Sequence, residues 1–195
     1  MHKNKRISKL LQRVCGQCSS CCREIHVDIT DTDLKRLVKQ TGIPADRLVR
    51  LYDHNKYDKD IEGDWINLSY GNKAIVLNKK RNGDCIFLGK DNGCIAYKAR
   101  PMTCRIFPVC VVYNDNNDIV NLEKSEVITD KTILCKCSPG KGRTYNNFMS
   151  TAKQARVEHA ALIKKIDHWN NLGKRGNKKD FLRFLGFKIS SNGCQ

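Results

Sequence analysis

Four of the eleven cysteines in this 195-residue chain are crowded near its start, at Cys15, Cys18, Cys21 and Cys22. A two-residue spacing lets the backbone turn back, so that two sulfur atoms reach the same ion. Core packing does not account for such a density, because a buried cysteine behaves as an ordinary small hydrophobic residue. The spacing therefore predicts a soft metal ion or an iron–sulfur cluster held by thiolates.

Further cysteines follow along the chain, and several of them lie where turns are expected. Cys85 follows Asn82-Gly83-Asp84, Cys94 follows a glycine, and Cys137 precedes Ser138-Pro139-Gly140. A turn directs several backbone groups toward one point, and its N–H groups hydrogen-bond to thiolate sulfur atoms. The centre of the chain therefore offers additional candidate ligands.

These cysteines stand in a longer pattern that resembles a known family. The pattern reads Cys15-x-x-Cys18-x-x-Cys21-Cys22, then Cys85-Ile86-Phe87-Leu88, then Cys94-Ile95-Ala96-Tyr97-x-x-Arg100-Pro101-x-x-Cys104-Arg105-Ile106-Phe107-Pro108. It is similar to the YkgJ-type cysteine-cluster proteins, a family described as zinc- or iron-chelating that includes flagellin lysine N-methylases. The resemblance spans residues 15–142, where Cys137-Ser138-Pro139-Gly140-Lys141-Gly142 is similar to a Cys-Pro-Gly-rich element with one serine inserted.

The resemblance implies a set of metal ligands and two supporting arginines. The implied ligands are Cys15, Cys18, Cys21, Cys22, Cys85, Cys94, Cys104 and Cys137. Eight thiolates fill two four-coordinate sites, or one iron–sulfur cluster and a second ion. Vicinal Cys21 and Cys22 need not both bind, because adjacent side chains diverge, and Cys135 is an alternative ligand beside Cys137.

Arg100 and Arg105 flank Cys104 and are expected to support the bound metal or cluster. Four thiolates around a metal are net negative, and a guanidinium offsets that charge and holds the loop through several donors. The alternative is an arginine that bonds only to surface or backbone groups. His26 offers a Cys₃His site, against the simpler interpretation of a surface imidazole.

The remaining cysteines have structural interpretations. Cys110 is expected in a strand, and Cys194 is expected as an exposed thiol in the C-terminal tail. The Cys15-x-x-Cys18 step also fits a redox pair, because such thiols often have a lowered pKa. The βαβ context of a thioredoxin-like protein is missing around it.

Charge is concentrated at the two ends of the chain, which carries a formal net charge of +16. Residues 1–14 hold five Lys or Arg and no acid, while residues 138–195 hold twelve against three acids. Such ends permit contact with nucleic acid or another acidic partner, and the alternative is a solvated lysine-rich surface. The oligomeric state is left open.

The compartment is predicted to be the cytoplasm. No apolar run approaches the roughly 18 residues of a membrane helix, and residues 7–14 are too polar for a signal peptide. A reducing compartment disfavours disulfides, which strengthens the interpretation of these cysteines as metal ligands.

The expected fold is α+β, with a small central antiparallel β structure between N-terminal helices and a long C-terminal helix. A metal-binding domain is predicted over residues 1–142 and a basic helical extension packed on it over residues 143–195. The pattern predicts helices over 7–14, from Thr30 or Asp31 to Gly42, from Pro44 to Leu51, from Tyr145 to near Gly173, and from Asn177 or Asp180 onward. It predicts strands over 65–70, 73–77, 85–88, 107–113 and 119–122, and a short strand or extended arm over 25–29.

Thiolate metal binding, with zinc or iron and with an iron–sulfur cluster as an option, is the function that these observations favour. Two alternatives remain open: an iron–sulfur-dependent protein lysine methyltransferase-like enzyme, and a nucleic-acid-binding metal module. Gly140-Lys141-Gly142 lacks the other residues of a phosphate loop, and no fingerprint for a nucleotide or S-adenosylmethionine is found. Whether the protein is an enzyme is therefore uncertain from the sequence.

Overall fold

A computed structural model describes residues 19–53, 65–124, 144–173 and 176–190. Within these ranges the chain forms six α-helices and five strands, together with a 3₁₀ turn over Tyr97–Ala99. In chain order they are α1 (Ser20–Glu24), α2 (Asp31–Thr41), α3 (Ala45–Leu48), β1 (Val49–Asp53), β2 (Ile66–Leu68), β3 (Gly71–Leu77), α4 (Met102–Ile106), β4 (Val109–Tyr113), β5 (Ile119–Lys124), α5 (Tyr145–Asn171) and α6 (Lys178–Phe184). The predicted α+β class is confirmed, and the helix predicted over 7–14 lies outside the described residues.

The strands form two small antiparallel sheets. β3 lies between β1 and β2 in the first sheet, where Val49 pairs with Leu77 and Ile66 pairs with Lys73. β4 and β5 form a hairpin, in which Val109 pairs with Lys124. The strands predicted over 65–70, 73–77, 107–113 and 119–122 are therefore present with shifted ends.

Helix α2 begins and ends as its sequence predicts. The Thr30 hydroxyl accepts a hydrogen bond from the Asp33 N–H at 3.0 Å, and the Asp33 carboxylate accepts one from the Thr30 N–H at 3.0 Å. This capping box satisfies two N–H groups that the first turn of a helix leaves unpaired. Gly42 ends the helix at a φ of 68°, a left-handed conformation that glycine adopts without steric cost.

The helix predicted from Pro44 to Leu51 is too long. Helix α3 ends at Leu48, and the next residues form β1. Val49 is β-branched and pairs with Leu77 in the sheet. Strand pairing of a β-branched residue therefore outweighs the local helix signal.

The two C-terminal helices are confirmed. The Thr144 hydroxyl accepts from the Asn147 N–H at the start of α5, which runs for 27 residues. Asn177 caps α6 and forms a second capping box with Asp180. The Nε1–H of Trp169, on α5, donates to the Asn67 carbonyl at 2.9 Å and so connects α5 to strand β2.

Three clusters of buried apolar residues form the core. The largest joins α2, α3, β1, β3 and the cysteine-bearing turns, with Leu34, Leu37, Leu48, Val49, Leu77 and Phe87 among its members. The second places α5 and α6 against β2, through Ile66, Leu68, Leu162, Ile166, Trp169 and Phe181. The third packs the β4–β5 hairpin on Phe148 and Ala152 of α5. Cys85, Cys94 and Cys104 all pack against the largest cluster.

Helix α6 is joined to α3 and to the first sheet through a half-buried lysine. The Lys178 ammonium donates to the carbonyls of Asp46 and Val49 at 2.9 and 3.0 Å.

The division of the chain into two domains at residue 142 stays a prediction. None of the helices in the described ranges has an apolar stretch of the length required to cross a membrane.

Candidate metal centre

The short helix α1 carries the second half of the N-terminal cysteine cluster. Cys21 and Cys22 are half-buried on it, and the Cys22 carbonyl accepts a hydrogen bond from the Cys85 N–H at 2.7 Å. Residues 63 positions apart in sequence are thus joined backbone to backbone. Cys15 and Cys18 lie outside the described residues.

Arg23 holds α1 against both central turns, a role that the sequence interpretation missed. Its guanidinium lies 3.4 Å from the Asp84 carboxylate, and its Nη2 donates to the Asn92 side-chain oxygen at 3.0 Å. The Lys79 ammonium donates to the Arg23 carbonyl at 2.6 Å. The sequence did offer a signal for this role, because Arg23 directly follows Cys22. A guanidinium next to a candidate ligand offsets thiolate charge, as argued above for Arg100 and Arg105.

Cys85 and Cys94 begin two similar tight turns, and the strand predicted over 85–88 is wrong. The Leu88 N–H donates to the Cys85 carbonyl at 3.0 Å, and the Tyr97 N–H donates to the Cys94 carbonyl at 3.1 Å. The two turns meet at a single bridge between Leu88 and Cys94. The consecutive apolar residues after the Asn82-Gly83 turn suggested a strand, but Phe87 is only 2% exposed and anchors a turn in the core instead.

Cys104 lies on α4, whose position is set by the start of α2. The Met102 N–H donates to the Asp33 carboxylate at 2.9 Å, and the Thr103 hydroxyl donates to the Asp28 carbonyl at 3.1 Å. Asp33 is 1% exposed, so this bond forms in a nearly water-free setting. The sequence showed Asp33 only as a capping acid, because the second partner is 69 residues away.

The thiols from these segments lie close enough to perturb one another. Burial raises the pKa of Cys104, and the neighbouring thiols Cys85, Cys22 and Cys94 raise it further. Burial also raises the pKa of Cys85 to about 11, against an opposing hydrogen bond from the Phe87 N–H. Adjacent thiolates repel, so a bound cation would lower all of these pKa values together. This donor set has the soft character that zinc and iron prefer.

Cys22 differs from Cys85 and Cys104 in the direction of its pKa shift. A hydrogen bond from the Cys21 side chain lowers the pKa of Cys22 to about 7, and the Arg23 and Arg100 guanidinium groups act in the same direction, while burial opposes them. Thiolate is the form of cysteine that binds metal. At neutral pH, Cys22 is therefore partly in that form without any metal.

The two arginines that flank Cys104 have different partners. Arg100 acts electrostatically on Cys22 and Cys104, and its guanidinium lies 3.6 Å from the centre of the Tyr97 ring. Arg105 donates from Nε to the Arg100 carbonyl at 2.8 Å and from Nη2 to the Lys98 carbonyl at 2.5 Å. Arg100 thus contributes charge near the thiols, and Arg105 holds the backbone of the loop between Cys94 and Cys104.

His26 lies beside strand β1. Its Nδ1 contacts the Arg50 guanidinium, and its ring centre lies 4.5 Å from that of Tyr52. Burial, Arg50 and Lys79 all lower the pKa of His26. The guanidinium occupies one ring nitrogen, so these contacts favour a structural role over a Cys₃His site.

The described residues bring together part of the predicted ligand set. Cys21, Cys22, Cys85, Cys94 and Cys104 approach one another, while Cys137 and the alternative Cys135 lie outside the described residues. Among the described residues, no three His, Cys, Asp or Glu side chains converge closely enough to hold one metal ion. Cys110 is an exposed residue of β4, as expected, and Cys194 is not among the described residues.

Fold and thiols together define an α+β protein organised around a cysteine cluster. The model of the family CxxCxxCC, described as "Putative zinc- or iron-chelating domain", matches residues 14–136, and the chain belongs to that family. The matched range holds seven of the eight predicted ligands and ends one residue before Cys137. Membership supports zinc or iron binding by this domain. No curated protein and no solved structure matches the chain.

Proposed function

We propose that this protein binds zinc or iron through thiolates from five segments of the chain, and that metal binding completes its fold. The proposed ligands are Cys15, Cys18, Cys21, Cys22, Cys85, Cys94, Cys104 and Cys137. The observation that carries the proposal is the meeting of α1, the two central turns and α4, which brings five of these thiols near one another. Family membership supports the same metals.

The protein's own groups prepare this site in three ways. Arg23 and the Cys85 N–H hold α1 against the central turns. Arg100 contributes positive charge where thiolate charge would accumulate. Burial raises the pKa of Cys104 and Cys85, so without a cation these two sulfur atoms are held as thiols.

A bound Zn²⁺ would supply charge neutralisation and cross-linking, whereas an iron–sulfur cluster would also supply redox chemistry. Thiolate ligation suits both, so the donor atoms alone do not select between them. The loss of thiol protons on binding makes affinity dependent on pH. We expect tighter binding as the pH rises through the range in which Cys22 and its neighbours ionise.

Anaerobic purification followed by elemental analysis and a visible spectrum tests the proposal directly. We expect at least one zinc or iron per chain after dialysis, and a cooperative thermal transition that moves to lower temperature when a chelator removes the metal. Absorbance in the visible would assign iron–sulfur, and a colourless protein with stoichiometric zinc would assign Zn²⁺. A protein that stays free of metal after incubation with Zn²⁺ and with Fe²⁺ plus sulfide would contradict the proposal.

Replacing Arg105 with methionine is expected to weaken metal binding by roughly tenfold without changing its stoichiometry, because residues that orient ligands contribute about 10- to 100-fold. The change removes the donors to the carbonyls of Arg100 and Lys98, and methionine preserves the apolar stem. Competition against a chromophoric chelator measures the affinity. Arg81→Met is the matched control, since Arg81 is exposed on the Asn82-Gly83 turn. Equal metal affinities in the Arg105→Met and Arg81→Met proteins would show that Arg105 does not contribute to metal binding.

A further inference from the structure

A cleft of about 380 Å³ lies between α4, α5 and the first sheet, and none of the described cysteines lines it. This volume lies within the range of small-molecule sites in proteins. Helix α4 contributes Met102, Thr103 and Ile106 to its wall, while Cys104 of the same helix packs against the largest core cluster. The cleft and the thiols are thus separate features that share one short helix.

Most of the wall of this cleft is apolar. Trp65 lies just before β2, Ile75 lies on β3, and Met102 and Ile106 lie on α4; all four are half-buried. Binding is favourable when a ligand covers apolar surface of this kind and releases the water that was in contact with it. The walls therefore favour a ligand with an apolar, ring-containing body.

Helix α5 contributes two polar side chains to the cleft, Arg156 and His159. Arg156 and His159 lie three residues apart on α5, which places them on one face of the helix. The Arg156 guanidinium lies 5.2 Å from the centre of the Tyr113 ring, and its Nε donates to the Asn117 side-chain oxygen at 2.7 Å. No carboxylate pairs with Arg156 among the salt bridges of the described residues. Its charge is therefore available to an anionic ligand group.

Two carboxylates also line the cleft, and neither forms a salt bridge with Arg156 among the described residues. Asp33 accepts hydrogen bonds from the Thr30 N–H, the Thr30 hydroxyl and the Met102 N–H, and it is paired with Arg36. Its capacity as an acceptor is thus used within the protein. Asp28 is exposed, and water and salt screen an exposed charge.

We infer that this cleft is a binding site for a small apolar organic anion, of which an aromatic carboxylate is the simplest representative. The apolar walls receive the ring, and Arg156 receives the carboxylate. A guanidinium matches a carboxylate in both charge and geometry. The proposed contacts with the ligand involve no metal. Failure of this inference would therefore leave the proposed metal binding unaffected, and failure of metal binding would leave this inference unaffected.

Calorimetric titration of the purified full-length protein, in the metal state in which it is isolated, tests this site with 2-naphthoate as the probe. We expect one site with a Kd of roughly 0.1–1 mM, as the size of the probe suggests. The neutral analogue 2-naphthalenemethanol should bind more weakly. Absence of saturable binding of 2-naphthoate at millimolar concentration would overturn the inference.

Three variants assign the binding to this cleft. Ala155→Phe fills the cleft from α5 and should weaken 2-naphthoate at least tenfold, whereas Ala161→Phe makes the same change at an exposed position of that helix and should stay within twofold of the native protein. Arg156→Gln should weaken 2-naphthoate about tenfold and leave 2-naphthalenemethanol unchanged. Equal binding by Ala155→Phe and Ala161→Phe would refute the assignment.

A folding defect in one variant does not prevent the test. Ala74→Leu narrows the cleft from the opposite wall, on β3, and is expected to weaken 2-naphthoate in the same way as Ala155→Phe. Circular dichroism and thermal melting identify which variants retain the native fold. Native affinity in a folded Ala74→Leu protein would count against the site as firmly as native affinity in Ala155→Phe.

Discussion

Replacing Cys104 with serine is expected to lower the affinity for zinc or iron by at least about 100-fold. Residues that only orient a ligand contribute about 10- to 100-fold, and a direct thiolate contributes more. The thiols of Cys85, Cys22 and Cys94 lie close enough to raise the pKa of Cys104, so its loss removes one donor from the proposed set. A serine hydroxyl does not replace it, because soft metals and iron–sulfur clusters select thiolate.

Cys110→Ser is the matched control for this change. It substitutes the same atom, but Cys110 is exposed on β4 and lies outside the group of mutually perturbed thiols. Elemental analysis of anaerobically purified proteins gives the stoichiometry, and chelator competition gives the affinity. Full metal content and native affinity in Cys104→Ser would exclude this residue as a ligand, whereas loss in both variants would indicate a general folding defect.

The second large effect is expected at the buried ion pair that joins α2 to α5. Arg36 donates to both oxygens of Glu158, at 2.7 and 2.8 Å, and also pairs with Asp33. Glu158 is 4% exposed and Asp33 is 1% exposed, so Arg36→Met would leave two carboxylates in the interior without their cation. Removing one partner of a buried pair costs about 3–5 kcal/mol of the free energy of unfolding.

Urea denaturation of the metal-loaded proteins measures this loss. Arg183→Met is the control, since Arg183 pairs with Asp180 at 2.8 Å on α6 but both side chains are substantially exposed. An exposed pair contributes about 0–1 kcal/mol, so the control should stay close to the native protein. Similar stability losses in the two variants would mean that burial does not distinguish these ion pairs.

The same pair makes stability depend on pH in a defined direction. Burial alone would raise the pKa of Glu158, but hydrogen bonds from Arg36 and Gln154 outweigh it, and the pKa is lowered. A carboxyl group with a lower pKa in the folded state stabilises the fold above its unfolded pKa, and this stability is lost as the pH falls through the folded value. Arg36→Met should therefore show a weaker loss of stability between pH 5 and pH 3 than the native protein, within roughly the usual range of carboxyl titration.

Local signals predicted the start and the end of α2 and the start of α6. Thr30 with Asp33, Gly42, and Asn177 with Asp180 mark helix ends, because capping depends on atoms three or four residues apart. The family was also evident from the cysteine spacing and from the string around Cys104, and the match over residues 14–136 confirms it. The class of metal follows from the same residues, since thiolate softness is a property of the side chain itself.

Contacts between residues far apart along the chain could not be predicted from the sequence. The turn at Cys85 was read as a strand, because nothing local shows that Phe87 enters the core or that the Cys85 N–H bonds to Cys22. Arg23 was missed for the same reason, since Asn92 lies 69 residues away from it.

The sequence by itself determined which residues carry the thiols that suit a soft metal, where α2 and α6 begin, and to which family the chain belongs. All three depend on side-chain chemistry and short-range geometry. Only the tertiary structure decided which thiols meet, that Asp33 positions α4, and that a separate cleft opens beside Arg156. Those features depend on how α2, α4 and α5 pack, and packing is a sum over contacts between residues far apart in the chain.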